Sequence, residues 1–443
     1  MKKTVKLSKN AKEILLSLEN AGYEAYVVGG YVRDAILGKE SNDYDITTNA
    51  LPSEVKNVFF DKRVIETGIK HGTVTVLMNG EAFEITTYRF DGEYTDARHP
   101  DSVSFSSSLT EDLKRRDFTI NAIVCNSSGE VFDFFDGIGD IERKLIRAIG
   151  EAKKRFSEDA LRILRAIRFS ATLGFDIEEK TKDAMIYTKC GLAKISKERI
   201  ANEINRALCA KNIKNVLLRN VEIFAEIFPE IKKMYKFDQH TKYHIYDLLE
   251  HTAYVISNTP SVVYLRLAAL LHDMGKVYTI SIDDDGIGHF PGHVEKSVGI
   301  AEKYLNEYKY DNFTKDRVLK LVKHHDLRFK TDRVSIKRYL NEFGVDFFFD
   351  LVSLQIADKK SQNPTLETSK TYVEAEKIAK DIILKGECFS LDALDIKGTD
   401  LVSVGFCGSE IGTILRALLD YVISGNVENQ KALLLKAALR MKQ

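Results

Sequence analysis

Apolar residues recur at helical spacing through "SKNAKEILLSLENAG", behind a serine able to cap a first turn, so the chain opens with a predicted helix from Ser8 that Gly22 stops. The next segments are short. "EAYVVGG" reads as a buried strand ending at Gly29-Gly30, "YVRDAILG" as a helix closed by Gly38, and "DYDIT" as a second strand. "GTVTVLM" and "EAFEITTYRF" alternate as strands, and the Asn79-Gly80 pair between them predicts a tight hairpin. Beyond about Gly150 the alternation stops. "RFSEDALRILRAIRFSATLGF" and "SKERIANEINRALCA" have the period of helices with one apolar face. The expected class is therefore α+β: a small mixed-sheet head over 1–150, a helical neck over 151–220, a third unit over 221–335 and a helical tail over 336–443. No fixed-period repeat runs through the helical part, which argues against a solenoid.

A chain of 443 residues exceeds one compact core. Lysine plus arginine equals aspartate plus glutamate at 65 each, so no global basic field draws in a nucleic acid. Any such partner must meet a local stripe, for which Lys56, Lys62, Arg63, Lys153, Lys154 and Arg155 are candidates. Five scattered cysteines, none in a C-x-x-C spacing, fit neither a disulfide frame nor a zinc ribbon. "MKKTVKLSKN" is followed by polar residues instead of an apolar signal core, and no apolar run is long enough for a membrane span. A reducing, cytoplasmic setting is the expectation.

Candidate chemistry begins in "GKESNDYDITTNALP". On a strand, residues i and i+2 share a face about 6.5 Å apart, so Asp43 and Asp45 present two like charges to one side. A bare D-x-D is most often a solvated turn. Here Gly29-Gly30, at a strand-to-helix bend with Arg33 one turn on, adds an anion cradle. Paired carboxylates beside a phosphate seat suit Mg²⁺ held between protein and nucleotide. Glu84 in "FEITT" is the candidate third acid, with Asp117 as its rival.

Taken together, "VVGGYVRDAILGKESNDYDI", "RRDFTINAI" (Arg115 to Ile123) and "FDGIGDIERKLIRAIG" (Phe135 to Gly150) resemble the nucleotidyltransferase head of the CCA-adding enzymes, in the tRNA nucleotidyltransferase and poly(A) polymerase family. The resemblance implies a two-metal transfer in which a tRNA 3′-hydroxyl attacks the α-phosphate of CTP or ATP and pyrophosphate leaves. It implies catalytic roles for Asp43, Asp45 and Glu84, and nucleotide contacts for Gly29, Gly30, Arg33, Arg116, Asp117 and Asn121.

In "SEDALRILRAIRF", Asp159, Arg162, Arg165 and Arg168 recur every three residues, which by itself describes an exposed helix face laced with ion pairs. A sharper reading exists. Cytosine and adenine each place an amino donor beside a ring-nitrogen acceptor, whereas uracil and guanine place a carbonyl beside an N–H. A carboxylate next to a guanidinium accepts the first edge and repels the second. The segment matches the E-D-x-x-R motif that does this task in the resembling family, where the later arginines lie near the triphosphate. "ISKERIANEINRAL" (Ile195 to Leu208) matches the family's neck-stiffening helix. "DGEYTDARHPDSVSFSSSLTEDLKRRDF" resembles the loop that helps class II members change from C to A, which favours full CCA addition over a partial one.

Eight of ten histidines fall between residues 240 and 325, where an even spread would put about two. "LRLAALLHDMGK" ends an apolar helix in His272-Asp273, a costly pair to bury unless it binds something. The order H, H-D, H, H, D resembles the HD phosphohydrolases. That resemblance implies a divalent Mn, Ni, Fe, Zn or Mg site built from His251, His272, Asp273, His293, His324 or His325, and Asp326. The choice among His289, His293, His324 and His325, and between one metal and two, stays open. In CCA-adding enzymes such a domain is associated with phosphatase, 2′-nucleotidase and 2′,3′-cyclic phosphodiesterase activity. "DIKGTDLVSVGFCGSEIGTILRALLDYVISGNV" resembles the family's C-terminal segment, which contacts the tRNA elbow; a helical cap over the core explains it equally well. Rival readings are a poly(A) polymerase or A-adding enzyme and a catalytically silent RNA-binding protein. A protein uridylyltransferase would be much longer, and a guanosine tetraphosphate synthetase-hydrolase has the opposite domain order.

Overall fold

The computed structural model describes residues 3–91, 103–363, 365–366 and 368–441, and these form two compact units, Met1–Pro229 and Glu230–Gln443. In the first unit, helix α1 (Lys9–Asn20) starts where Ser8 Oγ accepts the Ala11 N–H at 3.1 Å, and it buries Ala11, Ile14, Leu15 and Leu18, one face of a 3.6-residue period. Then follow β1 (Ala25–Val28), α2 (Gly30–Ile36), β2 (Tyr44–Thr48), α3 (Pro52–Val58), β3 (Arg63–Ile65), β4 (Thr73–Met78) and β5 (Glu81–Thr87). Asn79 and Gly80 both take positive φ, 51° and 82°, which is the two-residue turn the dipeptide predicts between β4 and β5.

Strands β6 (Arg89–Asp91) and β7 (Val103–Phe105) pair antiparallel on either side of 92–102. That part of the expected specificity loop lies outside the described residues. Helix α4 (Leu109–Lys114), β8 (Ile123–Cys125), β9 (Val131–Asp133) and α5 (Gly137–Arg143) complete a seven-stranded sheet of order β3-β4-β5-β2-β1-β8-β9. Only the β2–β5 pair is parallel, so the sheet is mixed, as expected. Tyr44 and Ile46 of β2 are buried, and Tyr44 stacks on Tyr31 at 4.1 Å, leaving Asp45 on the opposite, open face.

The chain continues through β10 (Leu145–Ile146), α6 (Ala152–Glu158), α7 (Leu161–Leu173), β11 (Asp176–Ile177), α8 (Glu179–Thr188), α9 (Lys197–Leu208), α10 (Ile213–Arg219) and α11 (Val221–Phe224). Helix α7 packs on α9, and α6 on α8. Ile163, Leu164 and Ile167 of α7 are 0–1% exposed, each contributing about 1.5–3 kcal/mol of burial to this packing.

The second unit is nearly all helix: α12 (Glu230–Met234), α13 (Leu248–Asn258), α14 (Val263–Leu271), a hairpin of β12 (Ser281–Ile282) and β13 (Gly288–His289), then α15 (His293–Glu307), α16 (Asn312–His324), α17 (Arg333–Phe343), α18 (Val345–Lys360) and α19 (Lys370–Leu384). Helix α18 packs on α13, α14 and α16. Helices α20 (Gly398–Ser403), α21 (Glu410–Ile423) and α22 (Lys431–Met441) close over their own core of Leu401, Phe406, Leu418 and Leu434. None of the five cysteines forms a disulfide, and among the described residues no helix is long and apolar enough to cross a membrane.

Candidate functional sites

Pairing register fixes the first site. Asp45 lies opposite Val28 on one side and Glu84 on the other, which sets the Asp45 and Glu84 carboxylates side by side on the open face of the sheet. Asp43 stands just ahead of β2, exposed. Gly29 bends the chain with φ 82° and ψ −132°, a conformation close to glycine-only, and a Cβ placed there would meet Asp45 Oδ2 at 3.6 Å and Arg116 Nη1 at 3.8 Å. The acids and the glycine bend therefore share one corner.

The surrounding protein desolvates the Asp45 carboxyl and raises it above the usual carboxylate range; the charges of Asp43 and Glu84 add to this, while Arg116 opposes it. Three acids crowded beside one arginine form a set that a divalent cation would relieve. Arg116 donates to Asp112 at 3.3 Å, but its Nε is buried without a hydrogen bond, so a donor is still available.

Behind this corner runs a chain of charged hydrogen bonds. Arg33 clasps Asp34 and donates to Asn121 Oδ1 at 2.6 Å; Asn121 donates to Asp117 at 3.1 Å, and Arg165 donates to Asp117 at 2.6–2.7 Å. Arg33, Arg165 and Arg168 all stand over the Phe169 ring, at 5.2, 5.5 and 3.9 Å from its centroid. Asp117 is thus occupied with arginine and amide partners, whereas Glu84 faces Asp45.

Burial alone would raise Asp117, but Arg165, Asn121 and the Phe118 N–H bring it down to about 2. Because the folded value lies below the unfolded one, this group stabilises the fold above about pH 4, by about 2 kcal/mol, and that contribution is lost as pH falls towards 2. Asp117→Asn is expected to flatten the decline of urea midpoints between pH 5 and 2. An unchanged slope would show that the pair contributes nothing.

The base-reading group is arranged differently from the expectation. Asp159 is not on a helix with the three arginines: it breaks α6 from α7 with φ −142° and ψ 102°, and its Oδ1 accepts the Leu161 N–H. Arg162 does not pair with it. Its guanidinium is held by Glu158 at 2.9 Å and by the Arg155 and Arg115 carbonyls, each at 3.0 Å. The guanidinium that meets Asp159 is Arg199 of α9, at 3.1 Å, and its Nη1 is buried without a partner. Arg168 pairs with Glu203, also of α9, at 2.6 Å. Spacing within one helix could not reveal these partners, which come from another; the charge-rich "KERIANE" was the only signal.

In the second unit, helix ends converge. His251 comes from α13, His272 and Asp273 follow α14, His293 opens α15 and His325 follows α16. Gly275 lets the turn after Asp273 close on α15, since a Cβ there would lie 2.2 Å from the His293 carbonyl oxygen. The sequence reading offered His324 or His325. His325 is buried, 3.4 Å from Asp273, while His324 turns away onto Phe343, 5.1 Å between centroids.

Asp326 is exposed, lining the cavity without joining the cluster. The buried second carboxylate is Asp358 of α18, 3.1 Å from His251 Nε2, which was not foreseen. An aspartate near the end of "FFFDLVSLQIAD" was its only trace, in a stretch assigned to the tail. His289 binds Asp283 on the exposed hairpin instead. The cluster opens on a cavity of about 310 Å³ also lined by His244, Lys276 and Lys359. Lys276 pairs with Asp273 at 2.6 Å and Lys359 with Asp358 at 3.0 Å, while burial and Lys276 push His244 down to about 3.

Family models match three stretches of the chain. Residues 25–147 match the Poly A polymerase head domain, 174–235 the probable RNA and SrmB-binding site of polymerase A, and 241–367 the HD domain, which takes in Asp358. A CCA-adding enzyme of Leuconostoc mesenteroides is 54% identical over 199 residues, 45% of this chain and 49% of that one; one of Lactiplantibacillus plantarum is 52% identical over 202 residues, 46% and 49%. In both alignments the chain spans about half the length of the relative. A CCA-adding enzyme of Streptococcus thermophilus is 34% identical over 442 residues, covering 98% of this chain and 97% of that one. Among solved structures, the Bacillus stearothermophilus CCA-adding enzyme in complex with CTP superposes with a TM-score of 0.72 at 28% identity, covering 98% of this chain and 96% of that one. The Thermotoga maritima enzyme complexed with tRNA shares the fold, with a TM-score of 0.62 at 20% identity over 99% and 97% of the two chains.

Proposed function

This chain belongs to the CCA-adding enzymes, and from that premise we propose that it adds C, C and A in turn to the tRNA 3′ end, taking CTP and ATP and releasing pyrophosphate without a nucleic-acid template. The observation that carries the reading is the corner where Asp45 and Glu84 lie side by side next to the Gly29 bend and Arg116. Mg²⁺ held by Asp43 and Asp45 would polarise the α-phosphate and activate the attacking hydroxyl. The chain's own groups do the rest. Gly29 and Gly30 let backbone approach the phosphates, the cations over Phe169 offset triphosphate charge, and Asp117 with Asn121 holds Arg165 and Arg33 in place.

Asp159, steadied by Arg199, accepts from the amino group of cytosine or adenine, and the guanidinium of Arg162 donates to the ring nitrogen. Incubation with tRNA lacking its 3′ end and labelled CTP and ATP should give a three-nucleotide C-C-A extension. An A-only ladder would instead make it a poly(A) polymerase, and binding without extension a silent RNA-binding protein.

A second activity is favoured by the histidine cluster: metal-dependent hydrolysis of phosphoesters, in the class of a phosphatase or 2′,3′-cyclic phosphodiesterase. His251, His272, Asp273 and Asp358 supply a donor set in which each imidazole Nε2 lies 3.1–4.0 Å from an oxygen of each carboxylate. Bonds of about 2.0–2.1 Å to one ion require ligand atoms roughly 2.9–3.4 Å apart, so the set fits with small adjustments. Lys276 and Lys359 give the cavity two ammonium groups for a phosphate.

A further inference from the structure

The histidine cavity continues into a second one of about 510 Å³, within the ~300–1,000 Å³ of small-molecule sites. His244, Asp326, Lys359 and Gln362 line both, so a single ligand can reach from one into the other. The two ends differ in chemistry. The first presents imidazoles and ammonium groups, whereas the second presents the rings of Tyr243, Phe329 and Tyr372.

Packing fixes one wall of the second cavity. Phe329 and Tyr372 are 6% and 7% exposed with ring centroids 6.0 Å apart, and Phe329 leans on Tyr339 and Phe348 at 4.9 and 5.3 Å. Tyr243 is different: it stands 47% exposed on the segment between α12 and α13. Asn363 ties that segment down, its N–H donating to the Tyr243 carbonyl at 2.8 Å and its side-chain amide to the Lys242 carbonyl at 3.3 Å. A ring held half in solvent keeps apolar surface wet that a flat ligand would cover.

Polar groups beside the rings are uncommitted. Among the described residues the Gln362 side-chain amide has no hydrogen-bond partner and the exposed Arg328 guanidinium forms no ion pair. An amide matches the donor and acceptor edge of a base, and a guanidinium plane stacks on its face. Thr368, Thr371 and Tyr372 lie past residue 367, where the HD match ends, so part of this lining lies outside the domain that the family model describes.

We propose that the second cavity is a base-binding subsite, in which Tyr243, Phe329 and Tyr372 select nucleotides among the phosphoesters that the neighbouring cavity takes. The proposal rests on the phosphohydrolase reading and adds its specificity-determining residues. The ester phosphate sits by Lys276 and Lys359, the ribose crosses the shared wall at His244 and Gln362, and the base lies against the rings.

The test compares a phosphoester that carries a base with one that does not, on the full-length chain. With Mn²⁺ added, the parent should favour adenosine 2′-monophosphate over glycerol 2-phosphate in kcat/KM. Tyr243→Ala should cut that preference roughly 5- to 150-fold through KM, the range expected for losing one base–aromatic stack. Tyr243→Phe, which keeps the ring, should retain it. A second readout needs no hydrolysis: in chelator, 2-aminopurine riboside 2′-monophosphate should lose fluorescence as its base stacks, with a Kd raised by a similar factor in Tyr243→Ala. Hydrolysis of both substrates without preference for the nucleotide, or a preference and a Kd indifferent to Tyr243→Ala, overturns the subsite and leaves the hydrolase reading intact. No hydrolysis of either substrate by the parent overturns that reading and the proposal with it.

Discussion

Asp45→Ala is expected to cut nucleotide addition by about 10³-fold or more without weakening the fold. The loss follows from the position of the side chain: it is the acid nearest the Gly29 bend, and a metal clamp on a transferring phosphoryl group supplies several kcal/mol, each 1.36 of which is tenfold in rate. The stability half of the forecast has an independent cause. Asp45 is held above the usual carboxylate range by desolvation and by Asp43 and Glu84, so its charged form is disfavoured in the folded state at neutral pH. Alanine removes that cost, and the thermal midpoint should be unchanged or higher. Single-turnover addition of labelled CMP to trimmed tRNA, run beside thermal melts, measures both. Activity within tenfold of the parent would sink the assignment of this corner.

Asp273→Ala is expected to abolish metal-dependent hydrolysis of a 2′,3′-cyclic nucleotide, by about 10³-fold, while CCA addition continues. This one carboxylate meets four imidazoles and an ammonium, whereas Asp358 reaches two of those rings. Its removal also strands Lys276, 8% exposed, with Gln239 as its remaining partner; leaving a buried charge unpaired costs about 3–5 kcal/mol. Asp273→Asn, which keeps the shape, is the companion variant. Hydrolysis surviving in both variants would remove the activity from this cluster, whereas its loss only in proteins that no longer melt cooperatively would point to folding.

What the sequence discloses, and what it hides, follows the range of the interactions. Ser8, Gly22 and the Asn79-Gly80 pair act on their own neighbours, and the elements they predict are present. The mixed sheet was legible for the same reason. The partners of Asp159 and Arg168 were not. A three-residue period describes one helix, and here a helix break and the distant α9 decide who pairs with whom. His324 and His325 are adjacent at a helix end, where one position is about 100° of rotation, enough to send one ring to Phe343 and the other to Asp273. Asp358 lies beyond the boundary expected at 335, in a helix read with the tail, and no proline or glycine linker in the sequence ties that helix to the histidines before it.

Around Asp273, the Nδ1 atoms of His251, His272, His293 and His325 meet the main-chain carbonyls of Ser361, Ala269, Phe290 and Val322. A point mutation can exchange any of those four side chains without deleting the acceptor. The orientation of each ring is therefore insulated from sequence drift in its neighbours, and the lining of the cavity is free to change while the histidine geometry is inherited intact.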